Sequence, residues 1–307
     1  MDKKKFILLC GPTGVGKSRV PENVATLDRD SFEKIEKDEY VTESEFYRKI
    51  ISQIIEVLGE DTITGIINGT DKTKKKELTD LFNSIYFNAS NNHLIPCRKE
   101  SGDLTCAQLH DKELGEHINS NNKHIVLEIN GDKDYSWLFY NTEEPIVNQY
   151  FNKTHSEKLL KDYDIEIYYL SGEFEQLLKD NKDRFISSLN PCKQNKCETR
   201  LGNFLMDKIY LNTIINIFKT IDKLKDTLFR NENITVYYFK RVGKTYIPLN
   251  NKIQYYMSFK INSNLYKEEL KDFVINGGKK SKKRKTKKGK LKKRKYKKKT
   301  KIKTKRR

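Results

Sequence analysis

Gly11-Pro12-Thr13-Gly14-Val15-Gly16-Lys17-Ser18 fits the pattern G-x-x-x-x-G-K-[ST]. Ahead of it stands Phe6-Ile7-Leu8-Leu9-Cys10, an apolar run of the length of a buried parallel strand. A helix is expected to begin near Gly16, so strand, glycine turn and helix follow in the order a phosphate-binding loop requires. Glycines let the backbone take positive φ and bring its N–H groups against phosphate. A helix N-terminus adds positive potential. In this pattern Lys17 reaches the β- and γ-phosphates and Ser18 ligates Mg²⁺. The dinucleotide pattern G-x-G-x-x-G is not in register, and no N/T-K-x-D guanine-reading segment is found; Gly69-Thr70-Asp71-Lys72 does not supply one.

The chain has 307 residues and a formal charge of +19, but the charge is unevenly placed. Lys279 to Arg307 holds 21 Lys/Arg and no Asp/Glu, which leaves 40 basic against 42 acidic residues elsewhere. The body is nearly neutral, so polyanion affinity belongs to the tail and not to the fold. Five cysteines (Cys10, Cys97, Cys106, Cys192, Cys197) in a chain this long do not read as a disulfide framework. Lys3-Lys4-Lys5 precedes an apolar run too short for a signal peptide, and no stretch approaches the roughly eighteen apolar residues of a membrane span. The expectation is a soluble intracellular protein, cytoplasmic or nuclear, without a membrane partner.

Pro21 either limits the helix after the glycine loop or sits in its first turns. Val24 to Phe32 reads as a short apolar segment ending in carboxylates, Asp28 and Asp30. In open α/β sheets ligands bind beyond the carboxyl ends of strands, which would set these carboxylates facing the phosphate site. Asp30 or Ser31 equally fits a helix N-cap. Glu43 to Leu58 has apolar residues at helical spacing. Residues 59–109 read as an insertion, helical over Lys72–Ser84 and loop-like over Asn88–Ser101. Leu109–Asn119 should be helical, and His124 to Gly131 a strand with Glu128 near its end. That Glu either serves Mg²⁺ or substrate or points into solvent.

Ile165–Leu170 reads as a strand and Phe174–Arg184 as a helix. A basic loop follows, giving a lid over about 185–203, where Arg184 and Arg200 either clamp phosphate or are ordinary surface cations. Phe204–Leu228 is a long amphipathic helix. Ile234–Phe239 is a strand, with Thr245-Tyr246-Ile247 returning as a hairpin and Lys252–Lys260 as one more strand. The expected fold is α/β: a three-layer arrangement around a central, mostly parallel sheet. It would span residues 1–275, with a disordered basic tail over 276–307.

This order of parts resembles the zeta-toxin-like branch of P-loop kinases. The glycine loop is similar to the family loop. Leu27-Asp28-Arg29-Asp30-Ser31-Phe32 is similar to the family's h-D-x-D-x-F segment, and by that match Asp30 would be the base and Asp28 a substrate contact. Ile125-Val126-Leu127-Glu128 is similar to the strand carrying a substrate-contacting Glu. Ile234 to Tyr238, followed by Arg241-Val242-Gly243, is similar to a late strand and turn. Ile129-Asn130-Gly131-Asp132 departs from the family's Gly-Thr and basic residue, and the family's His-Pro after the base is absent. The resemblance implies an ATP- and Mg²⁺-dependent kinase with a hydroxyl-bearing acceptor, a small molecule or nucleotide sugar. Lys17, Arg184 and Arg200 would stabilise the moving phosphoryl group. A nucleoside or polynucleotide 5′-hydroxyl kinase is the near alternative. A non-catalytic polyanion-binding protein with a relic nucleotide site is the other.

His93-x3-Cys97-x8-Cys106-x3-His110 offers four potential zinc ligands at an unfamiliar spacing; scattered His and Cys is the plainer reading. The tail carries one aromatic, Tyr296, so it offers cations without a stacking platform. It resembles tails on packaged, virion-associated proteins of large DNA viruses. Truncation after Asn276 should abolish binding to DNA or RNA measured by filter retention. In the full chain that binding should fall steeply between 50 and 200 mM salt, by about 10³-fold or more.

Overall fold

The computed structural model describes residues 3–25, 27–120, 122–139, 150–201, 206–226, 228–266 and 270. Met1–Val274 forms one compact unit, and Ile275–Arg307, which contains the basic tail, a second that lies outside the described residues.

Strand β1 (Lys4–Cys10) is buried completely from Phe6 onward, as its unbroken apolar run requires. It sits inside a six-stranded sheet of order β2-β3-β1-β4-β5-β6, with β2 Phe32–Glu36, β3 His124–Ile129, β4 Tyr163–Ser171, β5 Ile234–Val242 and β6 Thr245–Leu249. All neighbours are parallel except β5 and β6, which form a hairpin. The expected mostly parallel α/β sheet is therefore what the chain builds. After β1 the chain crosses outward to β2, and after β3 it crosses back over β1 to β4. Beyond the carboxyl ends of β1 and β3 this reversal opens the crevice in which such sheets bind ligands.

Ten α-helices occur among the described residues: α1 Val20–Asn23, α2 Lys37–Glu43, α3 Glu45–Leu58, α4 Glu60–Asn68, α5 Lys72–Asn91, α6 Cys106–Ser120, α7 Lys153–Asp162, α8 Phe174–Lys193, α9 Asp207–Leu224 and α10 Lys252–Ser258. The segment after the glycine loop is a 3-10 turn, Lys17–Arg19, followed by the four residues of α1 with Pro21 inside its first turn. Residues 59–109 are helical for most of their length, with α5 packed on α3 and α4 on α8. Aromatic rings fill the core beside β4 and β5. Tyr169 and Tyr238 are register partners with stacked rings 5.6 Å apart, and Tyr255 packs edge-on to Tyr169 at 5.9 Å.

Four expectations are corrected here. Val24–Phe32 is not a strand; the second strand starts at Phe32, and Arg29–Ser31 is a 3-10 turn leading into it. Lys252–Ser258 is a helix, its start capped by the Asn251 side chain at 3.0 Å from the N–H groups of Ile253 and Gln254. Helix α5 continues to Asn91, and α8 continues through Pro191 to Lys193, so residues 185–193 are not loop. Four of the five cysteines are paired, Cys97–Cys106 and Cys192–Cys197. Both are local staples across 9 and 5 residues, which a count of cysteines does not reveal.

Leu8 is fully buried at the sheet's centre. Leu8→Ala should lower the unfolding free energy by about 2–5 kcal/mol, read as a drop in the urea midpoint at unchanged slope.

Candidate functional site

The loop after β1 turns through two glycines at positive φ, Gly14 at 86° and Gly16 at 85°. An L side chain is strained at such angles. At Gly16 a Cβ would also lie 2.6 Å from the Tyr246 hydroxyl. The Lys17 ammonium folds back over the loop to donate to the Gly11 carbonyl at 3.1 Å. The loop opens onto a cavity of about 1200 Å³ at the carboxyl end of the sheet. Gly14, Gly16, Lys17 and Ser18 line it. Among the described residues no protein acceptor meets the N–H groups of these four.

Acidic residues face the loop from the next two strands. The register aligns Leu9 with Glu128 and Glu128 with Glu36, so two carboxylates end neighbouring parallel strands beside the glycine turn. Such strands run about 4.8 Å apart. Glu128 is buried, and Lys34 stands 3.6 Å from its Oε1, an ion pair without hydrogen-bond contact. Burial first, and the Glu36 charge second, push the Glu128 carboxyl up to about 7, against the pull of Lys17 and Lys34. Lys34 shows the complement: burial works against its charge, but Glu128, Glu36 and Glu39 more than offset that and raise it.

Further out, helix α2 begins directly at the end of β2 and carries Asp38 into the cavity lining. Tyr86 donates to Asp38 Oδ1 at 2.5 Å, and Arg200 Nη1 lies 3.7 Å from the same oxygen. The Arg200 guanidinium lies over the Tyr86 ring, 3.7 Å from its centre, and its Nη2 donates to Asn83 at 3.2 Å. Its Nε is buried without a partner. Lys37 is held low by burial and by Lys133, against the pull of Asp111. Arg184 is exposed on the same cavity wall. Arg241, from the end of β5, donates to the Gly14 carbonyl and pairs with Asp180.

The structure thus brings Lys17, Ser18, Glu128, Arg184 and Arg200 to one cavity, but not Asp28 and Asp30. Both are exposed, and both precede β2. Phe32 is level with His124, and through Phe6↔Ile125 with Lys5, five residues before Cys10. At about 3.3 Å per residue, the start of β2 at Phe32 lies about 16 Å along the strands from the loop, and Asp30 stands before it, at the amino end of the strand. The carboxylates at the correct end are Glu36 and Asp38. Ile35-Glu36-Lys37-Asp38-Glu39-Tyr40 repeats the expected spacing of two acids and an aromatic, eight residues later. Sequence reasoning passed over it because Phe32–Glu36 alternates charge and lacks an apolar run. Arg241, Tyr86 and Asp180 were missed as well; Arg241 stood in a segment recognised only as a strand and turn.

The four potential zinc ligands are not assembled. Cys97 and Cys106 bond each other, His93 is exposed, and His110 Nδ1 is 2.7 Å from Asp111. Among the described residues no group of three or more His, Cys, Asp or Glu is placed to hold a metal ion. No helix there is long and apolar enough to cross a membrane.

No protein-family profile matches the chain. It is 37% identical over 100 residues to the ATP-dependent protease ATPase subunit HslU2 of Trypanosoma brucei brucei, a match covering 33% of this chain and 19% of that protein. The chain therefore spans about a fifth of the length of this curated relative. A solved chain from the PezAT chromosomal toxin–antitoxin system of Streptococcus pneumoniae superposes with a TM-score of 0.44 at 11% identity, covering 89% of this chain and 85% of that one. At that score the likeness adds nothing to what the strand order already shows.

Glu128 holds its proton more tightly when folded than at its ordinary value of 4.5. Between 4.5 and about 7 the folded state binds more protons than the unfolded state, so this group's contribution to stability falls as pH rises through that window. Glu128→Gln should flatten the urea-derived stability curve there. The difference from the unaltered protein should grow by about 1–3 kcal/mol toward neutral pH.

Proposed function

We propose that the chain is a P-loop phosphotransferase that moves the γ-phosphoryl group of ATP to an alcohol. One observation carries the reading: the glycine loop lines one cavity at the carboxyl end of the sheet together with Glu36, Asp38, Glu128, Arg184 and Arg200. The loop N–H groups and Lys17 fit a polyphosphate, since they offer donors without protein acceptors. Ser18 and Glu128, whose buried Oε1 faces the Lys34 ammonium at 3.6 Å without a hydrogen bond, would be the residues to hold Mg²⁺. When bound there, Mg²⁺ would neutralise charge on the β- and γ-phosphates.

The work of this chain's own residues is positioning and charge stabilisation. Asp38 accepts the acceptor hydroxyl's proton as the oxygen attacks phosphorus. The Tyr86 hydroxyl and Arg200 hold that carboxylate in place. Arg200 and Arg184 line the same cavity and would stabilise the charge on the phosphoryl group. The zeta-toxin-like resemblance agrees with this once its acidic segment is moved from Asp28/Asp30 to Glu36/Asp38. A small hydroxylic molecule or nucleotide sugar is the acceptor class it implies. The tail's cations would attach the protein to nucleic acid without base readout.

ADP release from ATP·Mg²⁺ should be measured across nucleotide sugars, nucleosides and 5′-hydroxyl oligonucleotides. Lys17→Ala should lose at least about a hundredfold in kcat/KM. Asp38→Asn should lose about 10²–10⁴-fold in kcat. Asp30→Asn should stay within about twofold. Turnover that survives Lys17→Ala would overturn the reading.

A further inference from the structure

A phosphate cradle made of glycines has a difficulty of its own. The residues that let N–H groups converge on an anion also let each peptide flip and present its carbonyl instead. The structure shows what opposes that flip. From Gly11 to Gly16 every carbonyl of the loop accepts a hydrogen bond from the protein. Gly11 accepts from Lys17 Nζ at 3.1 Å, and Pro12 from the Val15 N–H at 3.3 Å. Thr13 accepts from the Tyr210 hydroxyl at 2.5 Å. Gly14 accepts from Arg241 Nη1. The Tyr246 hydroxyl lies 2.5 Å from the Gly16 oxygen, which also accepts from the Arg19 N–H at 3.1 Å, and 3.4 Å from that of Val15.

Two of these donors are tyrosine hydroxyls reaching in from elements far along the chain, Tyr210 from α9 and Tyr246 from β6. We infer that Tyr210 and Tyr246 are positioning residues for the phosphate site: their hydroxyls pin the Thr13 and Gly16 carbonyls, keeping the loop's N–H groups turned to the cavity. The inference rests on the phosphate-site reading above. The geometry is specific to hydroxyl donors. Tyr246 approaches so closely that only a residue without Cβ fits at position 16. Burial raises both phenols above their ordinary range, so they remain protonated donors at working pH. Phenylalanine at either position keeps the ring and its packing and removes only the donor. Removing a hydroxyl donor from a half-buried carbonyl weakens the hold on that peptide's orientation, so that turning the carbonyl toward the cavity, at the expense of an N–H, becomes easier.

The test uses the full chain, titration calorimetry with ATP·Mg²⁺, and amide hydrogen exchange over peptides covering Gly11–Arg19. Tyr246→Phe and Tyr210→Phe should each weaken ATP binding by about fivefold to a hundredfold and speed exchange in that segment. Tyr237→Phe is the control. Tyr237 lies on β5 with an exposed ring away from the loop, and its variant should change neither readout. Thermal melting establishes that each variant is folded. Should one fail to fold, the other, on a separate element, carries the same expectation. Folded variants that bind ATP as tightly as the unaltered protein, or that leave loop exchange unchanged, overturn the inference. If the unaltered protein binds no ATP, the phosphate-site reading fails on its own, and the exchange comparison still decides whether the hydroxyls hold the loop.

Discussion

The structure turns on a constraint at the end of one strand. The chain must leave β1 at Cys10, reverse through three glycines, and keep its N–H groups on the open side of the turn. Peptide groups are bidirectional, so turning the N–H groups one way commits the carbonyls to the other. Those carbonyls need donors, and a loop of glycine, proline, threonine and valine has few to spare. The donors come from Lys17 itself and from α9, β5 and β6. An N-terminal loop is thereby braced by residues some two hundred positions later. The β5–β6 hairpin extends the sheet past its parallel core to the place where Arg241 and Tyr246 touch the turn.

The second arrangement is electrostatic. Parallel register puts Glu36 and Glu128 on adjacent strand ends, and the fold buries Glu128. Two like charges at that spacing are costly, and Lys17 and Lys34 only partly offset them. The cost is borne where a ligand can relieve it, as perturbed groups at functional sites commonly show. Across the cavity the balance reverses. Arg200 stacks on Tyr86 and leans on Asp38, while burial first and Lys133 second hold Lys37 below its usual range.

The glycine loop was legible because its residue types are dictated by backbone geometry and phosphate chemistry, which leave few substitutes. β1, β3 and β4 were legible because strands covered on both faces must be apolar, and β5 because its β-branched and aromatic residues favour a strand. β2 was not, for the converse reason. It is an edge strand, Phe32-Glu33-Lys34-Ile35-Glu36, with only Ile35 fully buried, so nothing in its composition excludes charge. Missing β2 sets the acidic segment at Asp28 and Asp30, which precede that strand, whereas Glu36 and Asp38 lie at its carboxyl end and line the cavity. Arg184 and Arg200 were identified by charge and order, but the stacking of Arg200 on Tyr86 joins residues 114 positions apart. The Lys252–Ser258 helix was mistaken for a strand because Ile253, Tyr255 and Met257 alternate. Only the Asn251 cap and the packing of Tyr255 decide otherwise.

The helix behind the cradle is unusually small: a 3-10 turn from Lys17 to Arg19, then four residues ended at Asn23. Axial polarisation of a helix accumulates with aligned peptides, and a segment of barely two turns with a proline in it gathers little. An anion at this mouth is therefore drawn by individual amide protons and by discrete cationic side chains, not by a long column of aligned peptides. Its field would be short in range and sharp in direction, felt over the width of one phosphate.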